Sequence, residues 1–268
     1  MLVAITICIA MANSNNPPAD CSGLDSPSAS QTERRSALDA CATEAKQKPL
    51  DYFLDRIEQL GWHDSRTETY GDIIATWNQD EISQPAIAEK LFSLYKNERA
   101  SADARVVACR ALAGLPKVKR PAEMLPIEQI RVEITTLPSL MAYDRKEFSV
   151  APGCLVHLTL HNPDALEHNF LLVAPNALAE IGIAGDRMGQ TPDGKVKEFV
   201  PDSKKVLAVL GLVAPGKSKS LWFIAPSKPA TYPYVCTYPS HWRTMNGKMK
   251  VVSPITPPIP NPESEKKK

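Results

Sequence analysis

The hydrophobic period of this chain changes near Pro121, and this change limits the fold more than any other feature. Before Pro121, apolar residues recur at spacings of three and four, as in "PLDYFLDRIEQL" and "SADARVVACRALAGL". This spacing predicts helices, with Ser101 as an N-cap and Gly114 at a C-terminal end. After "PIEQI" the period is two, as in "QIRVEITT" and "CLVHLTL", which predicts strands. The sequence therefore predicts an α+β chain in which a small helical region precedes an all-β domain.

Composition divides the 268 residues into five predicted segments. Residues 1–12 are apolar and end in Ala-Met-Ala, which is typical of a secretory signal peptide, although no Lys or Arg precedes the apolar run. Residues 13–32, rich in Ser, Asn, Pro and Asp, predict a disordered leader. Residues 33–120 are the helical region and residues 127–253 the β domain. Residues 254–268 are rich in proline and charge and predict a disordered tail.

The predicted signal peptide bears on location and on the six cysteines. Its apolar run is too short to span a bilayer, so we expect a periplasmic or otherwise extracytoplasmic protein without a membrane span. Five cysteines follow residue 12, and an odd number leaves at least one without an intramolecular disulfide. Cys21 and Cys41 can pair if the chain is exported. Cys109 and Cys154 have no paired spacing and are predicted to be buried thiols.

Nucleic acids and nucleotides are not expected as partners. The net charge of +1 lacks the basic excess typical of nucleic-acid binding. The stretch "GLVAPGKS", residues 211–218, matches the phosphate-loop pattern, which requires a helix after the lysine. Here "KSKSLWFIAP" predicts a strand, and Pro215 removes a backbone amide where such amides bind phosphate. We interpret this stretch as a turn between strands.

The second half of the chain contains seven or eight predicted strands separated by Pro, Gly and Asp turns. Its one helical or irregular insertion is "NALAEIGIAGDRMG". Parallel sheets with helical crossovers need far more helix than this. The pattern therefore predicts a β-sandwich or a Greek-key barrel.

Three soft or borderline donors lie within ten residues, in the loop between two predicted strands: Cys236, His241 and Met245. A mononuclear copper site that cycles between two oxidation states favours one thiolate, two imidazoles and a weak thioether. This loop supplies all of these except one imidazole, which must come from elsewhere in the chain.

The second imidazole is best supplied by His168, which begins an apolar strand after the turn-like "NPDALE". His157 and His161 lie on the same face of one predicted strand, but four residues of strand separate them by about 13 Å, which prevents joint chelation. We predict that both are solvated surface residues.

Two motifs in this order resemble those of the blue copper cupredoxins, in particular the azurin and auracyanin type. They are "HNF" at residues 168–170 and C-x4-H-x3-M at positions 236, 241 and 245, within "YVCTYPSH" and followed by "GKM". The resemblance covers residues 127–253 and implies a Greek-key β-sandwich that binds one copper ion. It implies a trigonal plane of His168, Cys236 and His241, with Met245 as the axial ligand.

The resemblance also implies roles for the neighbours of the ligands. The backbone carbonyl of Glu167 would be a distant fifth contact, although azurins usually have Gly there. Asn169 would join the two ligand loops by hydrogen bonds, and the backbone N–H of Thr237 lies in reach of Cys236. Trp242 is a candidate for an apolar collar around His241 where a partner docks. Alternatively, Trp242 turns inward and packs the loop.

These features predict an exported type 1 blue copper protein that carries single electrons and has no catalytic residues of its own. A binuclear copper centre would need a second cysteine where this chain has Ser240, and the H-x-H and H-C-H motifs of copper reductases are missing from the sequence. The expected partners are c-type cytochromes or a redox enzyme. The alternative is a structural or copper-handling module in which the helical region is the interaction part.

The helical region carries a weaker resemblance. Its last two predicted helices, at about residues 84–115, resemble a HEAT-type pair. No second copy follows at a clear period, and a solenoid needs several. We therefore predict a small helical domain that packs on its neighbour or acts as a spacer.

Overall fold

The computed structural model describes residues 21–26, 28–122 and 128–253. The predicted signal peptide and disordered tail lie outside these residues. The chain forms two compact units, Met1–Gln59 and Leu60–Lys268, and each is described by itself. Within the described ranges, no helix has the length and apolar character needed to cross a membrane.

The described part of the first unit contains three helices: α1 (Ser22–Asp25), α2 (Gln31–Glu44) and α3 (Pro49–Glu58). A capping box begins α2, because the Ser30 hydroxyl accepts from the Glu33 amide while the Glu33 carboxylate accepts from the Ser30 amide. A disulfide joins Cys21 to Cys41 of α2. The leader predicted for residues 13–32 is therefore wrong where α1 forms, because this disulfide and the burial of Leu24 give that segment fixed contacts.

The second unit begins with four helices: α4 (Thr67–Ala75), α5 (Gln79–Ile82), α6 (Pro85–Lys96) and α7 (Ala102–Gly114). The predicted cap of α7 is confirmed, since the Ser101 hydroxyl accepts from the Ala104 amide at 3.0 Å, and the helix ends at Gly114. We predicted one helical region over residues 33–120. The structure instead divides the helices at Gln59 and places α4–α7 in one unit with the β domain.

Nine strands follow in the described residues 128–253: β1 (Gln129–Leu137), β2 (Ala142–Tyr143), β3 (Glu147–Val150), β4 (Leu155–Asn162), β5 (His168–Val173), β6 (Val206–Val213), β7 (Lys217–Ile224), β8 (Ala230–Val235) and β9 (Asn246–Val251). They form two sheets, in the orders β2-β1-β4-β7 and β3-β9-β8-β5-β6. The pairs β1/β4 and β3/β9 are parallel, and the other pairs are antiparallel. Helices followed by a β-sandwich confirm the predicted fold class.

The sandwich core is built from alternate residues of strands that face each other. Three alternate residues of β4, Val156, Leu158 and Leu160, are fully buried in one apolar cluster with Phe170 of β5. A short turn at residues 214–216 joins β6 to β7, in the other sheet. A strand follows this turn, so the stretch 211–218 is a turn between strands as predicted and not a phosphate loop.

Helices α4 and α7 contact the strand β7 through a polar group that we call the Arg110 cluster: Arg110, Glu68, Asp72, His157 and Trp222. The Arg110 guanidinium lies 4.7 Å from the centre of the Trp222 ring, which stacks on His157 at 4.2 Å. Arg110 also pairs with Asp72 at 2.7 Å and with Glu68 at 3.3 Å. The prediction that His157 is a solvated surface residue is therefore wrong, because Trp222 covers one face of its ring.

Candidate metal centre

The predicted ligands lie at neighbouring strand ends. His168 is the first residue of β5, and Cys236 directly follows β8, which pairs with β5 in the same sheet. His241 begins a 3₁₀ turn, His241–Arg243, and Met245 directly precedes β9. The loop is closed at its base, because the Cys236 amide donates to the Met245 carbonyl at 3.0 Å. Sheet pairing thus brings a residue from β5 next to a loop that begins about 70 residues later.

Three donor atoms converge in this site. The Sγ atom of Cys236 lies 3.9 Å from Nδ1 of His168 and 3.7 Å from Nδ1 of His241. The two Nδ1 atoms are 3.2 Å apart. All three side chains are buried, and even His241 is only 4% exposed. Within the described ranges, they are the one group of three or more such side chains close enough to share an ion.

Burial shifts the pKa values of Cys236 and His241 in opposite directions, and both shifts favour the uncharged side chain. Burial raises the pKa of the Cys236 thiol to about 12, although the backbone amides of Asn169 and Tyr238 act in the opposite direction. Burial and the neighbouring His168 lower the pKa of His241 to about 4. The imidazole of His241 is therefore neutral at pH 7 and ready to coordinate a metal. The thiol must lose its proton when it coordinates, as thiol ligands generally do.

Asp164 orients the first histidine. Its carboxylate accepts a hydrogen bond from Nε2 of His168 at 3.0 Å, and both side chains are buried. A carboxylate only accepts, so the proton of His168 lies on Nε2, and the lone pair of Nδ1 faces Cys236. The amides of Ala165 and Ser139 hold the carboxylate in turn. The sequence did not reveal this role of Asp164, because "NPDALE" predicts only a turn.

Asn169 joins the two ligand loops, as the resemblance implies. Its Oδ1 atom accepts from the Thr237 amide at 2.7 Å, and its Nδ2 atom donates to the Thr237 hydroxyl at 2.9 Å. Nδ2 also donates to the carbonyl of Glu198 at 2.8 Å. The hydroxyl of Tyr143 donates to the Asn169 carbonyl at 2.6 Å. These buried bonds hold the residues after both His168 and Cys236, which limits movement of the ligands.

The remaining predicted ligands have well-defined surroundings. Met245 is fully buried, and its amide donates to the His241 carbonyl at 2.8 Å. Its axial role follows from the resemblance. The side chain of Glu167 pairs with Lys195 at 2.9 Å, and the fifth contact through its backbone carbonyl stays a prediction. His161 hydrogen-bonds Ser218 and Glu133 at the exposed face of β4 and does not join the site.

A helix packs directly against the ligand loop. The predicted helical or irregular insertion is α8 (Leu178–Met188), between β5 and β6. Three glycines let it approach: a Cβ at Gly182 would overlap the Trp242 ring, and one at Gly185 would lie 2.7 Å from the Thr237 carbonyl oxygen. A Cβ at Gly189 would lie 2.5 Å from Pro239. Periodicity within the insertion did not reveal this contact, because its partners are far along the chain.

Trp242 was predicted either to form an exposed collar around His241 or to pack inward, and its ring packs mainly against α8. It is partly buried beside Val235 and Ile181, and its indole N–H donates to Asp186 of α8 at 2.9 Å. The Arg243 guanidinium lies 4.6 Å from the centre of its ring. This placement matches the packing alternative, and a role of Trp242 in docking stays a prediction.

Comparisons with known proteins agree with the site. Residues 130–252 match the family of copper binding proteins described as the plastocyanin/azurin family. Auracyanin-A of Chloroflexus aurantiacus is 28% identical over 124 residues, which are 46% of this chain and 74% of that protein. Auracyanin-B of the same organism is 29% identical over 45% of this chain, and the match spans 51% of its own length. A dithionite-reduced auracyanin structure from Roseiflexus castenholzii is 31% identical over 46% of this chain and 96% of its own, with a TM-score of 0.41.

The β domain therefore belongs to the plastocyanin/azurin family and is a blue copper cupredoxin. This confirms the family inferred from "HNF" and C-x4-H-x3-M. The site binds one copper ion, and its donors fit that metal, since a thiolate and two imidazoles suit copper better than oxygen-preferring cations. No comparison tests the HEAT-type resemblance of α6 and α7, which stays a prediction.

Proposed function

We propose that this protein is an electron carrier that moves single electrons through its mononuclear type 1 copper site and has no substrate site of its own. The observation that carries the proposal is the convergence of Cys236, His168 and His241 in a buried site. Copper in such a site supplies a one-electron Cu(II)/Cu(I) couple.

The residues around the ligands support rapid transfer because they resist rearrangement. Asp164 holds His168, and Asn169 holds the residue after Cys236. The loop bonds of Met245 hold the other end of the ligand loop. Ligands that are held in one geometry by the protein need little reorganisation when the oxidation state changes, which favours transfer over substrate chemistry.

The surface near His241 supports transient docking of a redox partner, for which we propose a c-type cytochrome or a redox enzyme. The 139–141 segment adjoins the site, since the Thr244 hydroxyl donates to the Met141 carbonyl at 3.1 Å and the Ser139 amide donates to Asp164. This segment exposes Leu140 (64%) and Met141 (43%). Transient electron-transfer complexes bury small interfaces, so a small exposed apolar surface such as this one is large enough for a redox partner to dock briefly.

We also propose that the protein acts outside the cytoplasm. The disulfide between Cys21 and Cys41 supports this location, because disulfides form and persist mainly in oxidising compartments. The apolar residues 1–12 support it as a predicted signal peptide.

The test combines visible spectroscopy with voltammetry of the copper-loaded protein. A carrier shows an intense blue band and a reversible one-electron couple with fast exchange. Copper binding with a slow or irreversible couple would contradict the proposal and favour a copper-handling module. Leu140→Lys should slow electron exchange with a c-type cytochrome while the potential stays unchanged, and Val196→Lys is a matched control at an exposed apolar residue. Equal rates for the two variants would exclude docking at Leu140.

A further inference from the structure

One carboxylate of α8 accepts two hydrogen bonds from the ligand loop and forms an ion pair with it. Oδ1 of Asp186 accepts from the Ser240 amide at 2.6 Å. Oδ2 accepts from the Trp242 indole N–H at 2.9 Å and pairs with the Arg243 guanidinium at 3.1 Å. These donors belong to the residues on both sides of His241, so a single side chain holds the backbone that carries this ligand.

The residue before His241 has an unfavourable backbone conformation. Ser240 has φ 72° and ψ −15°, in the left-handed region that residues other than glycine rarely adopt. Such a conformation persists only where surrounding contacts impose it. The hydrogen bond from the Ser240 amide to Asp186 is one such contact, and it acts at the strained residue itself.

Helix α8 gives Asp186 a fixed position from which to act. Gly182, Gly185 and Gly189 share a helix face with Asp186, since they lie three or four residues from it or from each other. Their contacts with Trp242, Thr237 and Pro239 hold this face against the loop. The carboxylate therefore bonds the loop from a rigid element, which favours precise positioning.

We infer that Asp186 is a positioning residue of the copper site, which holds Ser240 in the left-handed conformation and so sets the place of His241. The effect of Asp186 on His241 passes through the backbone of residue 240 and the Trp242 side chain. Loss of the carboxylate lets Ser240 relax towards a favoured conformation, which displaces Nδ1 of His241 from its place 3.7 Å from the Cys236 sulfur.

The first test measures the loop in the copper-free protein by amide hydrogen exchange, so it does not depend on electron carriage. Asp186→Ala should speed exchange of the Ser240 amide about tenfold or more, because hydrogen bonds to charged groups are among the stronger ones. Glu180→Ala is the matched control, since Glu180 lies on the same helix and pairs with Lys205 instead of the loop. Equal protection of Ser240 in the two variants would overturn the inference.

The second test reads the site itself. Asp186→Ala should shift the blue absorption band and the reduction potential of the copper-loaded protein, whereas Glu180→Ala should change neither. Ser240→Gly in the Asp186→Ala background should restore both, because glycine adopts the left-handed region without strain. If Asp186→Ala only lowers the melting temperature and leaves band and potential unchanged, the role is structural and the inference is wrong.

Asp186→Asn keeps the test decisive if Asp186→Ala fails to fold. The amide retains one acceptor oxygen but loses the charge that faces Arg243, so it should produce an intermediate shift of the band and of Ser240 exchange. A spectrum and an exchange rate identical to those of the unmodified protein would contradict the positioning role. Either result is independent of whether the protein carries electrons, because both readouts concern only the site.

Discussion

The copper site and the Arg110 cluster are both groups of polar side chains in the second unit, but these side chains are paired in different ways. Arg110 pairs with the carboxylates of Glu68 and Asp72, and its guanidinium lies over the Trp222 ring. In the copper site, the Cys236 sulfur and the two Nδ1 atoms of His168 and His241 face one another at distances of 3.2 to 3.9 Å. Buried polar side chains that pair with other side chains of the protein contribute to the fold. Metal-ligating atoms that converge on one point instead indicate a bound cation.

The largest expected effect is that of Cys236→Ser, which should change the copper site and leave the Arg110 cluster intact. Cys236→Ser should abolish the blue band completely, because thiolate-to-copper charge transfer gives the colour and a hydroxyl cannot replace the thiolate. The stability of the copper-free protein should change little, since serine has nearly the same volume. Visible absorption and thermal melts measure the two outcomes. Cys154→Ser is the control and should stay blue; a blue Cys236→Ser protein would assign the thiolate to another cysteine.

Arg110→Ala should have the opposite pattern of effects. We expect the free energy of unfolding to fall by about 2 kcal/mol, since the cation–π contact and both ion pairs are lost. Glu68 and Asp72 are partly exposed, so water can solvate them and the loss stays below that of a fully buried pair. Denaturant melts give the free energy, and the visible spectrum should not change. Arg131→Ala, at an exposed position of β1, is the control, and a colour change in Arg110→Ala would show that the two groups are coupled.

The pH dependence of the copper-free protein should sharpen the comparison. His241 has a folded pKa of about 4 and an ordinary value of 6.5, so the unfolded chain binds more protons between these values. The stabilising effect of a neutral His241 is therefore fully present above pH 6.5 and is lost as pH falls to about 4. Thermal melts should show that the melting temperature falls as pH is lowered across this range, and that it falls less in His241→Gln than in the unmodified protein. Identical declines in both proteins would exclude His241 as the cause.

Met245→Gln should have the smallest effect on the fold and a moderate one on the metal. An amide oxygen is a harder donor than a thioether, so it should stabilise Cu(II) and lower the reduction potential while the protein stays blue. Voltammetry measures the shift, and Met249→Leu in the apolar core of β9 is the control. An unchanged potential would show that Met245 is not the axial ligand.

Several features of the site could be predicted because they are local in sequence. Cys236, His241 and Met245 occupy one loop, so their spacing alone indicated a common metal. His168 could be assigned because few histidines were available and the others were too far apart along a strand. Asp164 and Asp186 were not predicted, since their partners depend on how loops and α8 pack. Asp186 lies 54 residues from Ser240, and no periodic pattern connects them.

Local sequence was sufficient to predict the change from helices to strands near Pro121 and the convergence of Cys236 and His241 with His168. These depend on local periodicity and on donor chemistry, which neighbouring residues reveal. Three features became visible only in the folded chain: α4–α7 form one unit with the sandwich, Trp222 covers His157, and the Cys21–Cys41 disulfide that the sequence left open is formed and joins α1 to α2. Those features depend on contacts between distant segments, whose free energy arises from burial and pairing that no single stretch of sequence contains.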